Sequence, residues 1–278
     1  MISPGQNTKR LQKSGPSALR TADWTLSGLC LASFGLVLQE TVRAGRGPET
    51  AGWREATLVL ATTASTLVSL SRQLPGQNVL LSAVVVAAIG GLAQAIGALT
   101  GIPFGPCVYT HAAGPRLLDV LPWWIPLAWI VMILNSRGVA RLVLRPWRKT
   151  HTYGLRLIGL TAALSLVFDL GLEPFAGRVK GCWLWSPMRL DVNWYGTPAT
   201  HFAGWALTAL LILAFATPAL INKSPAKHPP DYHPLVIWCL LNLLFAAGSI
   251  THPFWVAAAF SSGAALTAAF LAVRGARW

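Results

Sequence analysis

Residues 155–174 read LRLIGLTAALSLVFDLGLEP, an apolar run that closes on two carboxylates, Asp169 and Glu173, and on Pro174. A helix crossing a bilayer needs about 20 mostly apolar residues, because backbone in hydrocarbon must satisfy its own polar groups. This stretch meets that requirement and carries its acids at one end. Similar runs lie near residues 24–41, 56–71, 78–99, 120–136, 202–221, 234–250 and 254–273, which with 155–172 makes eight. The stretches Asn78–Leu99, Phe202–Asn222 and Tyr232–Val273 hold no Asp, Glu, Lys or Arg. Hydrophobic residues are 54% of the 278 and charged residues only 11%. The predicted fold is therefore an all-α polytopic membrane helix bundle of about eight transmembrane helices. The fourth and seventh are short and could be re-entrant, so seven spans is the alternative.

One integral membrane helical domain, residues 23–273, accounts for nearly the whole chain. Residues 1–22 are polar, basic and rich in Gly, Ser and Pro, and are expected to form a disordered cytoplasmic tail. They lack the coupled basic, apolar and small-residue regions of a signal peptide. Residues 274–278 form a short C-terminal tail. The net charge of +13 does not imply nucleic acid as a partner. An eight-span arrangement puts about twice as many Lys and Arg on the side of both termini as on the other, with Arg137, Arg141, Arg145, Arg148 and Lys149 the densest cluster. Both termini are then cytoplasmic, in a bacterial-type cytoplasmic membrane, and the basic face meets anionic membrane lipid. Four cysteines without CxxC spacing suggest neither zinc nor redox chemistry. They read as small packing residues, with a Cys107–Cys182 disulfide as the alternative.

Only nine Asp and Glu occur in the chain, and an ionisable group inside a span costs roughly 2.5–3.5 kcal/mol or more, so its presence points to function. Asp169 and Glu173 stand at i and i+4, where helical side chains share a face with Cβ atoms about 5–6 Å apart. Two buried carboxyls that close disfavour a double negative charge, so one can hold a proton at neutral pH. Pro174 is expected to end the helix and leave C-terminal carbonyls beside Glu173, which favours the proton there. A structural ion pair of Glu173 with Arg178 or Lys180 is the alternative reading.

The connections 101–124, 173–202 and 251–255 open on one face and are rich in Gly, Pro, Trp, Tyr and His. Irregular backbone at membrane depth survives only where protein covers it, so these loops predict an aromatic pocket at one end of the bundle. Trp183, Trp185, Trp194 and Tyr195 are its candidate walls, fit for an apolar or cationic ligand. Trp123, Trp124, Trp238 and Trp255 read instead as an interfacial belt. His111, His201 and His252 fall on the pocket side and could relay protons, whereas His228 and His233 read as loop residues. No HxxxH or HxxHH box, GxGxxG, P-loop or DDxxD motif is present. Di-iron hydroxylase, nucleotide, flavin and prenyltransferase readings therefore lose ground.

Four strings also carry a resemblance. They are GIPFGPCVYT at 101–110, VLPWWIPLAW at 120–129, DLGLEP at 169–174 with GCWLW at 181–185, and WYGTP at 194–198 with FAGW at 202–205. In that order the chain resembles the membrane carotenoid biosynthesis proteins that include carotenoid 1,2-hydratases of the bisanhydrobacterioruberin and γ-carotene type. The resemblance implies a cofactor-free hydro-lyase, a hydratase adding water to the terminal 1,2 double bond of an acyclic ψ end group. Asp169, Glu173, His111 and His201 are then the candidate catalytic residues. Tyr109, Trp129, Trp183, Trp185, Trp194, Tyr195 and Trp205 are the candidate walls for the carotenoid substrate. Other carotenoid-pathway enzymes are candidate partners. A proton-driven isomerase or cyclase on an isoprenoid, or a non-enzymatic carotenoid-binding protein, are the competing readings.

Overall fold

A computed structural model of the chain describes residues 15–43, 53–186, 192–221 and 229–278. Eight α-helices carry it: α1 (Gly15–Arg43), α2 (Trp53–Ser71), α3 (Gly76–Thr100), α4 (Ile125–Val143), α5 (Tyr153–Glu173), α6 (Ala199–Ala216), α7 (His233–Thr251) and α8 (Trp255–Ala276). Seven are long and apolar enough to cross a membrane. The eighth, α2, is not among them, and its inward face carries Thr62, Thr63, Ser65, Thr66 and Ser69. Such hydroxyls persist in a buried helix because they turn back on its carbonyls, as Thr62 does to Leu58 at 2.6 Å and Thr63 to Val59 at 2.7 Å. The helix bundle and the membrane character agree with the apolar pattern of the sequence.

Several boundaries differ from the hydropathy reading. Helix α1 begins at Gly15, inside the stretch read as a tail, and α8 runs to Ala276. His228 lies outside the described residues. Helix α4 spans 125–143 rather than 120–136, so Arg137 and Arg141 belong to a helix and not to a loop. Hydropathy truncated α4 because it counts arginine as an end signal, whereas this helix is the central one: 72% of its span is buried against 50% or less for the other six spans. His233 opens α7, with its imidazole 2.7 Å from Ser65 Oγ. Trp238, read as an interfacial belt residue, is fully buried and donates to Ser136 Oγ at 3.2 Å.

Pro174 does not end the chain's helical course. The α-geometry stops at Glu173, but residues Pro174–Val179 continue as a π-helical turn, closed by Lys180 N–H donating to Phe175 O at 2.9 Å. Proline fits because its fixed φ, here −60°, is helical and it brings no N–H that the widened turn would leave unbonded. Gly181 then turns out at φ +62°, a left-handed conformation open to glycine without strain. The chain continues into β4 (Trp183–Trp185), which pairs antiparallel with β1 (Cys107–Tyr109). That short ladder ties the α3–α4 connection to the α5–α6 connection. The register places Cys107 opposite Trp185, while Cys182 follows the other end of the ladder and accepts from Thr110 N–H at 3.0 Å. Cys107 and Cys182 are thus both free thiols, and the alternative of a disulfide between them falls.

Candidate active site

Asp169 and Glu173 lie on one face of α5, one turn apart, as their spacing requires. Across from them His201 projects from the first turn of α6. Its Nε2 stands 2.9 Å from Asp169 Oδ2 and 3.1 Å from Glu173 Oε1. All three side chains are buried. The imidazole therefore bridges the carboxylates. The second Glu173 oxygen, Oε2, accepts three further hydrogen bonds: Trp183 Nε1–H at 3.1 Å, Trp185 Nε1–H at 3.0 Å and Thr197 Oγ1–H at 2.8 Å. An oxygen surrounded by three donors suits the acceptor-only, ionised form. The chain turning back over Glu173 thus supplies donors that helix geometry alone does not. Asp169 Oδ1 and His201 Nδ1 have no hydrogen-bond partner among the described residues.

Neither cation offered as an alternative partner reaches Glu173. Lys180 pairs with Glu55 at 2.6 Å, and Arg178 donates to Tyr195 O at 2.6 Å.

Aromatic rings enclose the imidazole. Centroids of Trp185, Phe202, Trp205 and Phe104 lie 4.8, 5.2, 5.4 and 5.6 Å from that of His201. Trp129 stacks on Trp205 at 4.2 Å. Two glycines permit this density. A Cβ on Gly90 of α3 would stand 2.4 Å from Trp129 Cγ, and one on Gly204 of α6 would stand 2.7 Å from Pro103 O. Their absence lets the indole lie against α3 and lets the 101–106 loop seat Phe104 beside His201.

A cavity of about 30 Å³ opens among these groups, large enough to hold a water. Glu173 and His201 border it, together with Tyr109, Trp129, Trp183, Trp185 and Trp205. Asp169 does not; it meets His201 Nε2 at 2.9 Å. Burial raises the Tyr109 phenol above its ordinary range, so it stays a neutral donor, reaching Gln94 Oε1 at 3.3 Å.

Four residues that the sequence assigned to the pocket fall elsewhere. His111 is exposed in a short 3-10 turn, His111–Ala113, and does not border the cavity, because the loop carries Tyr109 inward and turns back outward past it. Trp194 donates to Leu170 O at 2.9 Å and packs with Tyr195 and with Phe260 of α8, on the outer side of the α5–α6 connection. Tyr195 bonds Ala257 N–H through its hydroxyl and meets Phe254 at 5.0 Å. These two rings fasten the loop to α8 instead of lining the cavity. His252 is held by Thr251 and by Gly248 O, again away from it. Conversely, Trp124, read as a belt residue, lines the cavity, stacks with Trp183 at 6.2 Å and donates to Ala113 O at 2.8 Å. Gln94 and Thr197 were not singled out by the sequence, and Cys107 only as one half of a candidate disulfide. Gln94 carried a usable signal, a lone amide in an apolar run, which must find a partner.

Asp169, Glu173 and His201 each offer a ligand atom within 4.8 Å of the others, a donor set of two carboxylates and an imidazole that could hold a divalent cation.

Comparison with known proteins adds a second line. The family described as "Carotenoid biosynthesis protein" matches residues 54–270. Over 123 residues the chain is 31% identical to a protein named bisanhydrobacterioruberin hydratase from Haloarcula japonica. The aligned part covers 44% of this chain and 39% of that protein. No solved structure matches.

Proposed function

Because the chain belongs to the carotenoid biosynthesis protein family, we propose that it is a hydratase that adds water across the terminal 1,2 double bond of an acyclic carotenoid end group. The observation that carries this reading is the buried Asp169–His201–Glu173 bridge bordering a cavity walled by tryptophan faces.

His201 Nε2 is committed between two carboxylates, and both Glu173 oxygens are already acceptors. Nδ1 is then the atom from which a proton can pass to a ligand. In the proposed reaction Nδ1–H protonates C2 of the alkene, which places a tertiary cation at C1. The faces of Trp185, Trp205 and Trp129 stabilise that cation through their negative quadrupole, and they do so most where charge is fully developed. Water adds to C1 and its surplus proton goes to Glu173; Nε2 still carries its own proton, so the proton reaches the vacated Nδ1 by relay through water in the cavity that Glu173 and His201 both border. The sum is alkene plus water to tertiary alcohol, with the cluster restored. Asp169 holds the imidazole in register throughout.

An isoprenoid end group is several times larger than the 30 Å³ cavity, so its entry must part the aromatic walls. Entry from the bilayer suits a chain whose spans present apolar side chains outward. The substrate on this reading is an acyclic carotenoid dissolved in membrane lipid. Both termini are taken as cytoplasmic, and other carotenoid-pathway enzymes as partners, on the charge asymmetry and the shared lipid substrate respectively.

The test is expression in a lycopene-accumulating bacterium grown in ¹⁸O-labelled water, with elongated and monocyclic carotenoids supplied in parallel. Mass analysis should find labelled oxygen in the pigment. An isomerase or cyclase using the same proton chemistry would give products without it. Purified protein treated with EDTA should keep its activity; loss on chelation and recovery with a divalent cation would replace this mechanism by a metal-held water on the same three residues.

A further inference from the structure

A second, larger cavity lies at the opposite end of the bundle. It encloses about 500 Å³ between α2, α4, the start of α5, the end of α6 and the start of α7. Tyr153 borders it and Glu173 borders the small cavity, at the two ends of α5, so about 30 Å of helix separates the two.

Its walls are strongly cationic. Arg137, Arg141, Arg145, Arg148 and Lys149 all border it, against a single carboxylate, Asp231. That carboxylate is already engaged by Ser69 at 3.0 Å, Gln73 at 2.7 Å, Arg72 at 3.4 Å and the His233 N–H at 3.1 Å. None of the five cations forms an ion pair among the described residues. Arg137 donates to Leu220 O at 3.0 Å, and Arg141 to Gln73 Oε1 at 2.9 Å. Arg145 Nε is buried without a partner.

Surface arginines at a membrane interface need no explanation beyond topology, but Arg137 is only 6% exposed. A guanidinium that far from water, facing others of like sign, is costly unless an anion answers it. Arg137 and Arg141 share a face of α4 one turn apart, and Arg145 follows in the next turn, so three forks converge on one volume. Planar guanidinium forks match the paired oxygens of a phosphate or a carboxylate, and five cations against one engaged carboxylate favour the more highly charged of the two, a phosphate. A volume of 500 Å³ exceeds what a bare phosphate fills and suits an esterified one.

We propose that this cavity binds a phosphate group, carried by a lipid headgroup or by a small soluble phosphate, at a site separate from the Asp169–His201–Glu173 cluster. The inference stands apart from the hydratase reading, since no residue is shared between the two sites.

The experiment uses the full chain purified in a neutral detergent, with unfolding followed by tryptophan fluorescence. One arm titrates sodium phosphate against sodium chloride at matched ionic strength. The other compares nanodiscs of phosphatidylcholine with nanodiscs containing phosphatidylglycerol. The expected result is a saturating rise in Tm in at least one arm. A response to free phosphate identifies a soluble ligand, and a response to phosphatidylglycerol alone identifies a headgroup. Arg145→Gln and Arg141→Gln, both at partly exposed positions, should each weaken the apparent affinity about tenfold or more, the value of one charge-assisted hydrogen bond. No saturating response in either arm overturns the proposal, as does a response that both variants leave unchanged.

Discussion

Glu173→Gln isolates charge and acceptor capacity at the centre of the proposed site while changing little volume. Glu173 accepts three hydrogen bonds at Oε2, from Trp183, Trp185 and Thr197, and its Oε1 stands 3.1 Å from His201 Nε2. A glutamine has one acceptor oxygen. If it faces the indoles and Thr197, its NH₂ meets the His201 Nε2–H, and if it faces His201, its NH₂ meets three donors. Hydrogen bonds to a charged acceptor are worth about 1.5–3 kcal/mol against about 0.5–1.5 for neutral ones, so each contact weakens by roughly 1 kcal/mol. Relief of the desolvation of a buried charge offsets part of that loss. Net stability should fall by about 1–2 kcal/mol, which leaves the protein folded and inserted. Activity should fall much further, because a positioned general base contributes about 10²–10⁴ in rate, or roughly 3–5.5 kcal/mol. The assay is the rate of ¹⁸O incorporation into pigment, normalised to membrane-inserted protein by immunoblot. Activity within about threefold of the unmodified protein, a difference under about 1 kcal/mol, would refute the assignment. Asp169→Asn should cost less than Glu173→Gln, since Asp169 acts on the ligand only through His201.

Trp185→Phe removes the indole N–H but keeps an aromatic face, whereas Trp185→Leu removes both. If the face stabilises a cation, Leu should be slower than Phe by about 1–2 kcal/mol, roughly five- to thirtyfold in kcat, and equal rates would exclude that role. Gly90→Ala puts a Cβ 2.4 Å from Trp129 Cγ, and the overpacking should cost about 1–3 kcal/mol, read as a lowered Tm in detergent; an unchanged Tm would show that the indole can move freely. Burial pushes the Cys107 and Cys182 thiols from the ordinary 9.0 up to about 12. The folded state therefore favours the protonated thiol, and at pH 8 the reactive thiolate fraction is about 10⁻⁴. Maleimide should label both cysteines far more slowly in folded than in denatured protein, and equal rates at pH 8 would contradict that burial.

What sequence could establish here follows from the solvent. Hydrocarbon tolerates few ways of satisfying a backbone, so apolar length located the helices, though α2 falls short of a membrane span and α4 runs past its expected end, and the rarity of carboxylates singled out Asp169 and Glu173. Their i, i+4 spacing brought them to one face because a helix allows nothing else. His201, Trp183, Trp185 and Trp205 were legible as belonging to the same end of the bundle. Which side chains actually meet was not legible. Loop residues a few positions apart point in opposite directions, so Tyr109 lines the cavity while His111 faces out, and Trp185 bonds Glu173 while Trp194 fastens α8. The position of His201 between the two acids depends on α6 crossing α5, and the donors on Glu173 depend on the β1–β4 ladder folding the loop back over the helix end. Arg137 is the clearest case: in sequence it marks the edge of a span, and only packing against α2 and α7 makes it a buried cation on the wall of a second cavity. Local spacing is set by the chain's own geometry, but contacts between distant segments depend on how helices and loops pack, which no short-range pattern records.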